Sequence, residues 1–163
     1  MNPKHIHLIG AKHVIRYLKG TLDYGLRYTS SEEIKLHGYA DSDWCGNAKD
    51  RKSTSGCCIS LGSSMISWFS RKQTSIALST AEAEYIAACS ACSEAVWLQK
   101  MLSRLFDAKI DVTDTLCDNQ ICIKMTENPM FHDKSKHIEI RFHFIRDMVQ
   151  KGFVNIKYVP TEE

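Results

Sequence analysis

The chain has 163 residues, 44% of them apolar, which is enough for one domain with its own core and too few for two of ordinary size. Its 21 Lys and Arg stand against 19 Asp and Glu, a formal net charge of +2. That balance excludes both an acidic disordered chain and an evenly basic one, so any contact with nucleic acid has to come from local patches. No run of about eighteen apolar residues occurs, and Met1-Asn2-Pro3-Lys4-His5 opens no secretory signal; a soluble, intracellular protein is expected. Seven Cys make an odd count for a disulfide framework. Most lie in apolar runs, where reduced thiols act as small hydrophobes.

In chain order, Leu8, Ala11, Val14, Ile15 and Leu18 recur at helical spacing and Gly20 follows as a stop, predicting a helix over His5–Gly20. Extended pieces follow at Gly25–Thr29 and Leu36–Asp41, joined by the polar turn Ser30–Glu33. After a charged loop over Asn47–Ser55, Gly56–Leu61 and Met65–Phe69 read as strands around Gly62-Ser63-Ser64, completing a meander. From Ser79 the period turns helical. Tyr85, Ala88, Cys89, Cys92, Val96, Leu102 and Leu105 form one stripe, and Ser79 with Glu82 fits a capping box. Val112–Cys117 reads as a strand, Asn119–Thr126 as a helix and Asn128-Pro129 as a break. Lys136–Gln150 reads as a helix with Ile138, Phe142, Ile145 and Val149 on one face, stopped by Gly152, and Phe153–Val159 as a last strand. This order predicts an α/β fold, a mixed sheet with helices packed on it.

Three acids sit at element ends: Asp41 and Asp118 close strands, and Glu84 lies in the first turns of the long helix. Asp43 shares a strand face with Asp41, whereas Glu82 and Glu84 are about 200° apart on a helix. Glu82 is taken up by the cap, which leaves Glu84 for chemistry. Each acid alone reads as a solvated side chain. Together they suit hard divalent cations, because a pair of metals roughly 3.5 to 4 Å apart needs carboxylates from separate elements.

The motifs Leu36-His37-Gly38-Tyr39-Ala40-Asp41-Ser42-Asp43-Trp44, Asp50-Arg51-Lys52-Ser53-Thr54-Ser55-Gly56, Trp68-Phe69-Ser70-Arg71-Lys72-Gln73, Leu78-Ser79-Thr80-Ala81-Glu82-Ala83-Glu84-Tyr85-Ile86-Ala87-Ala88, Cys117-Asp118-Asn119-Gln120 and Lys136-His137-Ile138-Glu139-Ile140-Arg141-Phe142-His143 together resemble the ribonuclease H domain of Ty1/copia-type retrotransposon Pol polyproteins. The resemblance covers residues 22–163, while residues 1–21 resemble the end of the preceding reverse transcriptase region. It implies a five-stranded mixed sheet, three antiparallel strands and then two parallel additions. It also implies hydrolysis of the RNA strand of RNA:DNA hybrids with two Mg²⁺, for which Mn²⁺ can substitute.

By the same resemblance Asp41, Glu84 and Asp118 are catalytic and hold the metal, with Asp43 the runner-up for the first position. Arg71, Lys72, Gln73, Ser79, Thr80 and Asn119 contact the substrate, the last three near its sugar edges. The partners implied are the hybrid and the reverse transcriptase region of the same polyprotein, in the cytoplasm within virus-like particles or in the nucleus. The family pattern continues past Val159-Pro160-Thr161-Glu162-Glu163 into a helix bearing a fourth Asp, and this sequence stops at Glu163. Glu162 or Glu163 would have to substitute. The alternative is therefore an inactive remnant that keeps the fold and binds nucleic acid or docks on a reverse transcriptase.

Rival signals read more plainly as structure. Cys89 and Cys92 fall on the apolar stripe, and the gaps among Cys117, Cys122, His132, His137 and His143 match no zinc pattern. Trp44, Trp68 and Trp97 read as core or half-core aromatics rather than a base-stacking platform. Lys49, Arg51 and Lys52, with Lys134, Lys136, His137, Arg141 and Arg146, supply local positive charge suited to phosphates.

Overall fold

The computed structural model describes residues 2–29, 35–46, 49–107, 109–127 and 136–160, without the side chains of residues 122, 125–127, 136–139 and 142. The elements are α1 (His5–Gly20), β1 (Leu36–Asp43), β2 (Thr54–Leu61), β3 (Ser64–Lys72), α2 (Thr80–Phe106), β4 (Thr113–Cys117), α3 (Gln120–Glu127), α4 (Lys136–Gln150) and β5 (Val154–Tyr158). The expected turn at Ser30–Glu33, residues 47 and 48 of the charged loop and the break at Asn128-Pro129 lie outside the described residues.

One sheet runs in the order β3-β2-β1-β4-β5. The first three strands are an antiparallel meander, and β4 joins β1, and β5 joins β4, in parallel. Parallel neighbours need crossovers, which α2 supplies between β3 and β4, and α3 and α4 between β4 and β5. Alternation puts Leu36, Ala40, Cys57, Ile59 and Cys117 on the face that α2 covers. Tyr85, Ala88, Cys92 and Val96 meet them from the helix, and Ile145 of α4 and Val154 and Ile156 of β5 complete the same core. On the opposite face, Tyr39, Cys58, Trp68 and Leu116 line an open cavity of about 760 Å³.

The long helix is anchored at both ends. Ser79 Oγ accepts from Glu82 N at 3.2 Å, and the Glu82 carboxylate, 1% exposed, accepts from Leu78 N at 2.9 Å. The capping box was expected to return that carboxylate to Ser79; it reaches one residue further back and so also ties down the loop before the helix. Farther along, Gln99 donates to Thr113 Oγ1 and to Phe153 O, both at 2.7 Å, pinning the helix to the starts of β4 and β5. Residues 81–88 are buried on all sides, not along a stripe alone, because alanines at 81, 83, 87 and 88 let the loop and helices around them approach. Leu105, placed on the stripe by its spacing, is exposed beyond the sheet, as is Val149 on α4.

Two further findings concern segments outside the meander. Gly25–Thr29 is no strand: it runs past β3 without ladder pairing, held by Tyr28 Oη donating to Met65 O at 2.7 Å and by the Ser64 hydroxyl donating to Arg27 O. At the other end of the chain, α4 stops at Gly152 (φ 68). Gly152 N bonds Val149 O and Phe153 N bonds Met148 O, both at 3.0 Å, a turn that needs the left-handed residue and turns the chain directly into β5. No residue of α1 is buried.

Candidate active site

The ends of β1 and β4 lie side by side, with Ala40 opposite Cys117. The next residue in each case is an acid, Asp41 on β1 and Asp118 just past the end of β4, and both line the open-face cavity. Glu84 comes in from the first turns of α2 on the covered side. One carboxylate oxygen each from Glu84 and Asp118, with Cys117 Sγ, lie within 4.8 Å of one another. Asp41 is close enough for its charge to act on Glu84. The fold thus brings Glu84 and Asp118 together, one from the crossing helix and one from a strand end, with Asp41 on the neighbouring strand outside that close group.

Glu84 is held asymmetrically. Its Oε1 accepts from Ser42 N at 3.1 Å and from Ser42 Oγ at 3.0 Å. Its Oε2 is buried and has no hydrogen-bond partner among the described residues. Burial is the main cause that pushes its pKa up to about 7; the Ser42 bonds pull it down, and the negative charges of Asp118 and Asp41 raise it again. A buried carboxylate oxygen without a donor, beside further acids, is a place a cation would fit, and oxygen donors of this kind suit a hard divalent ion. Cys117 is the soft member of the group; it is buried in the core among Ala40, Cys57 and Cys92, which leaves the carboxylates as the donors at the rim.

Other predicted residues fall into supporting places. Asp43, the runner-up, is spent on the strand end: its Oδ1 accepts from Thr54 N, and its carboxylate sits where a Cβ on Gly46 would be. Trp44 Nε1 donates to Ala77 O at 3.2 Å, fastening the loop after Asp41 to the loop before Glu84. Ser79 caps α2, Thr80 is exposed beside it, and Asn119 Oδ1 accepts from Ile121 N at 3.0 Å at the start of α3. Gln73 is internal, its amide donating to Ser55 Oγ at 2.9 Å and to Ala83 O at 3.0 Å. Arg71 lies 4.9 Å from the centre of the Phe69 ring, and Lys72 pairs with Asp50 at 2.6 Å.

Glu162 and Glu163, with His132, Lys134 and the side chains of Cys122, Lys136 and His137, lie outside the described residues. None of the six cysteines described is in a disulfide; Cys92 is fully buried, and burial pushes Cys89 up to about 11 and Cys57 up to about 12. Sequence reasoning missed two neighbours of the acids, Ser42 and Cys117. Each stands next in sequence to a catalytic candidate, and strand alternation carries Ser42 to the helix side where Glu84 arrives.

No family profile matches the chain. It is 37% identical over 161 residues to the retrovirus-related Pol polyprotein from transposon RE1 of Arabidopsis thaliana, a stretch covering 99% of this chain and 11% of that protein. The chain spans about a tenth of the length of the curated Pol polyproteins it matches. Over 97 residues, 60% of this chain and 68% of the other, it is 45% identical to secreted RxLR effector protein 161 of Plasmopara viticola. Among solved structures, RNase H1 of the archaeon Halobacterium salinarum NRC-1 matches with a TM-score of 0.56 at 16% identity, over 78% of this chain and 87% of that one. LC11-RNase H1 in complex with an RNA/DNA hybrid gives 0.55 at 13% identity, over 78% and 87%. The fold is therefore that of ribonuclease H. Over nearly its whole length the chain is homologous to a segment of the retrovirus-related Pol polyproteins of transposons.

Proposed function

We propose that the chain is a ribonuclease H that hydrolyses the RNA strand of RNA:DNA hybrids, with Asp41, Glu84 and Asp118 as the catalytic acids. The observation that carries this is the buried, undonated Oε2 of Glu84 beside Asp118 and within the field of Asp41. The three carboxylates would hold two Mg²⁺ or Mn²⁺. Bound there, such cations supply an activated water for in-line attack and stabilise the leaving 3′ oxygen.

The chain's own residues do the positioning. Ser42 fixes Glu84 through Oε1 and so leaves Oε2 as the free donor. Trp44 ties the segment after Asp41 to the segment before Glu84 through Ala77. Arg71 and Lys72 meet phosphates on one side, braced by the internal Gln73, while Ser79, Thr80 and Asn119 line the sugar edge. Hydroxyl and amide groups suit detection of the 2′-hydroxyl, which A-form-like duplexes display on their wide, shallow groove. In the polyprotein, residues 1–21 belong to the reverse transcriptase region and residues 22–163 to the ribonuclease H domain, and the two act on one hybrid in virus-like particles or the nucleus. No helix among the described residues is long and apolar enough to cross a membrane.

A cleavage assay tests this reading. A hybrid with both strands end-labelled is incubated with the chain and Mg²⁺ or Mn²⁺. The RNA strand is cut and the DNA strand and single-stranded RNA are spared. Equal cutting of single-stranded RNA, or no cutting while hybrid is bound, would instead favour a binding module.

A further inference from the structure

Just inside the rim the donor set changes. Cys117, the last residue of β4, is fully buried on the face that α2 covers. Its Sγ lies within 4.8 Å of one carboxylate oxygen of Glu84 and one of Asp118, which are themselves within that distance of each other. Among the described residues no other three His, Cys, Asp or Glu side chains come together in this way, and Asp41 lies outside the group. No sequence spacing announces it, because Glu84 arrives on α2 while Cys117 and Asp118 come from the end of β4.

Two observations point to a cation of a different kind from the hard pair. Glu84 is 6% exposed, and its Oε2 has no hydrogen-bond partner among the described residues, a costly state for a buried carboxylate until something positive meets it. The other is the sulfur. One thiolate with two carboxylate oxygens is a donor set for Zn²⁺, held tetrahedrally at about 2.3 Å by sulfur and about 2.0–2.2 Å by oxygen. Neighbouring donors in such a tetrahedron stand about 3.5 Å apart, so small side-chain rotations close the group around an ion. Mg²⁺ takes oxygen ligands in an octahedron and gains nothing from the sulfur.

We propose that Glu84, Cys117 and Asp118 bind one Zn²⁺, which holds the ribonuclease site off by occupying two of its three carboxylates. The inference rests on reading Glu84 and Asp118 as cation donors, and adds Cys117, which has no part in the hydrolysis, as the residue that admits a thiophilic metal. On binding, the Cys117 thiol gives its proton to solvent and its sulfur bonds the ion; no electron is transferred. The fourth tetrahedral position is left to water.

Co²⁺ accepts the same donors and makes the sulfur bond visible. The full chain, reduced and without hybrid, is titrated with Co²⁺ and read by thiolate-to-cobalt absorption in the near ultraviolet. The versions compared are the parent, Cys117→Ala, Cys117→Ser, which restores volume with a hard oxygen, and Cys89→Ala, which removes a thiol of α2 outside the group. The parent and Cys89→Ala should show the band and lose it to added Zn²⁺. Both Cys117 variants should lack it and bind Zn²⁺ at least about a hundredfold more weakly, since even the outer partners of metal ligands are worth about ten- to a hundredfold. In the presence of hybrid all four should keep Mn²⁺ binding, read by paramagnetic resonance, and Zn²⁺ should expel Mn²⁺ from the parent far more readily than from the Cys117 variants. No band in the parent, or a band that persists in both Cys117 variants, with Mn²⁺ still bound, would overturn the zinc site and leave the hydrolytic reading standing. A parent that binds neither Co²⁺ nor Mn²⁺ would overturn both.

Discussion

At the scale of single residues, Glu84 is the most informative side chain. Its folded-state pKa is raised from 4.5 to about 7, first by burial and then by Asp118 and Asp41, against the pull of Ser42. The folded state therefore holds a proton that the unfolded state releases, so this group's favourable contribution is complete below about pH 4.5 and is lost as pH rises through about 7. Without metal, the protein should lose up to about 3 kcal/mol of stability between pH 4.5 and 8 from this residue. Glu84→Gln should flatten that dependence and be more stable than the parent at pH 8, as read by urea midpoints at the two pH values. Added Mg²⁺ should restore the parent at pH 8 and leave the variant unchanged. Glu82 is the contrasting case, two residues away and buried, with its carboxylate on Leu78 N. Glu82→Ala should cost about 1–2 kcal/mol through the lost cap and the stranded amide, while cleavage per folded molecule stays within twofold of the parent. Complete inactivation of a folded Glu82→Ala protein would move the catalytic role from Glu84 to Glu82.

At the scale of elements, α1 and α4 were legible to the residue, because each has apolar periodicity and a glycine at its end: Gly20 closes α1, and Gly152 follows α4. Gly25–Thr29 was misread as a strand for a physical reason. Alternation and β-forming residues describe what a segment tolerates, whereas a strand also needs a neighbour with a free ladder edge. The acids were legible because they sit at strand and helix ends, where side chains from different elements converge. Ser42 as the clamp on Glu84 and Cys117 beside the acids were not, since each depends on which distant element arrives opposite. The α1 helix gives an element-scale prediction. Leu8, Ile9, Val14, Ile15 and Leu18 are all more than half exposed, an apolar surface prone to association. Removal of residues 1–20 should leave the thermal midpoint of the remaining domain within a few degrees and reduce self-association seen by light scattering. Loss of cooperative unfolding in the shortened chain would make α1 part of the folding unit.

At the scale of the whole molecule, the sheet does one functional job: it sets β1 and β4 parallel and adjacent, so that residues 41 and 118 end together where the N-terminal turns of α2 cross. The open-face cavity at that end is edged by Asp41 and Asp118. A duplex bound there would meet negative charge that calls for metal at the cleavage point. The central claim is that the three acids act as one metal site. It is tested most directly by counting Mn²⁺ bound to the chain in the presence of hybrid, from the loss of the free-ion paramagnetic resonance signal, for the parent and for Asp118→Asn. The account predicts two ions per parent chain and at least a tenfold weaker affinity in Asp118→Asn, about 1.4 kcal/mol or more, with an unchanged circular dichroism spectrum. Equal Mn²⁺ binding by the two proteins would contradict it.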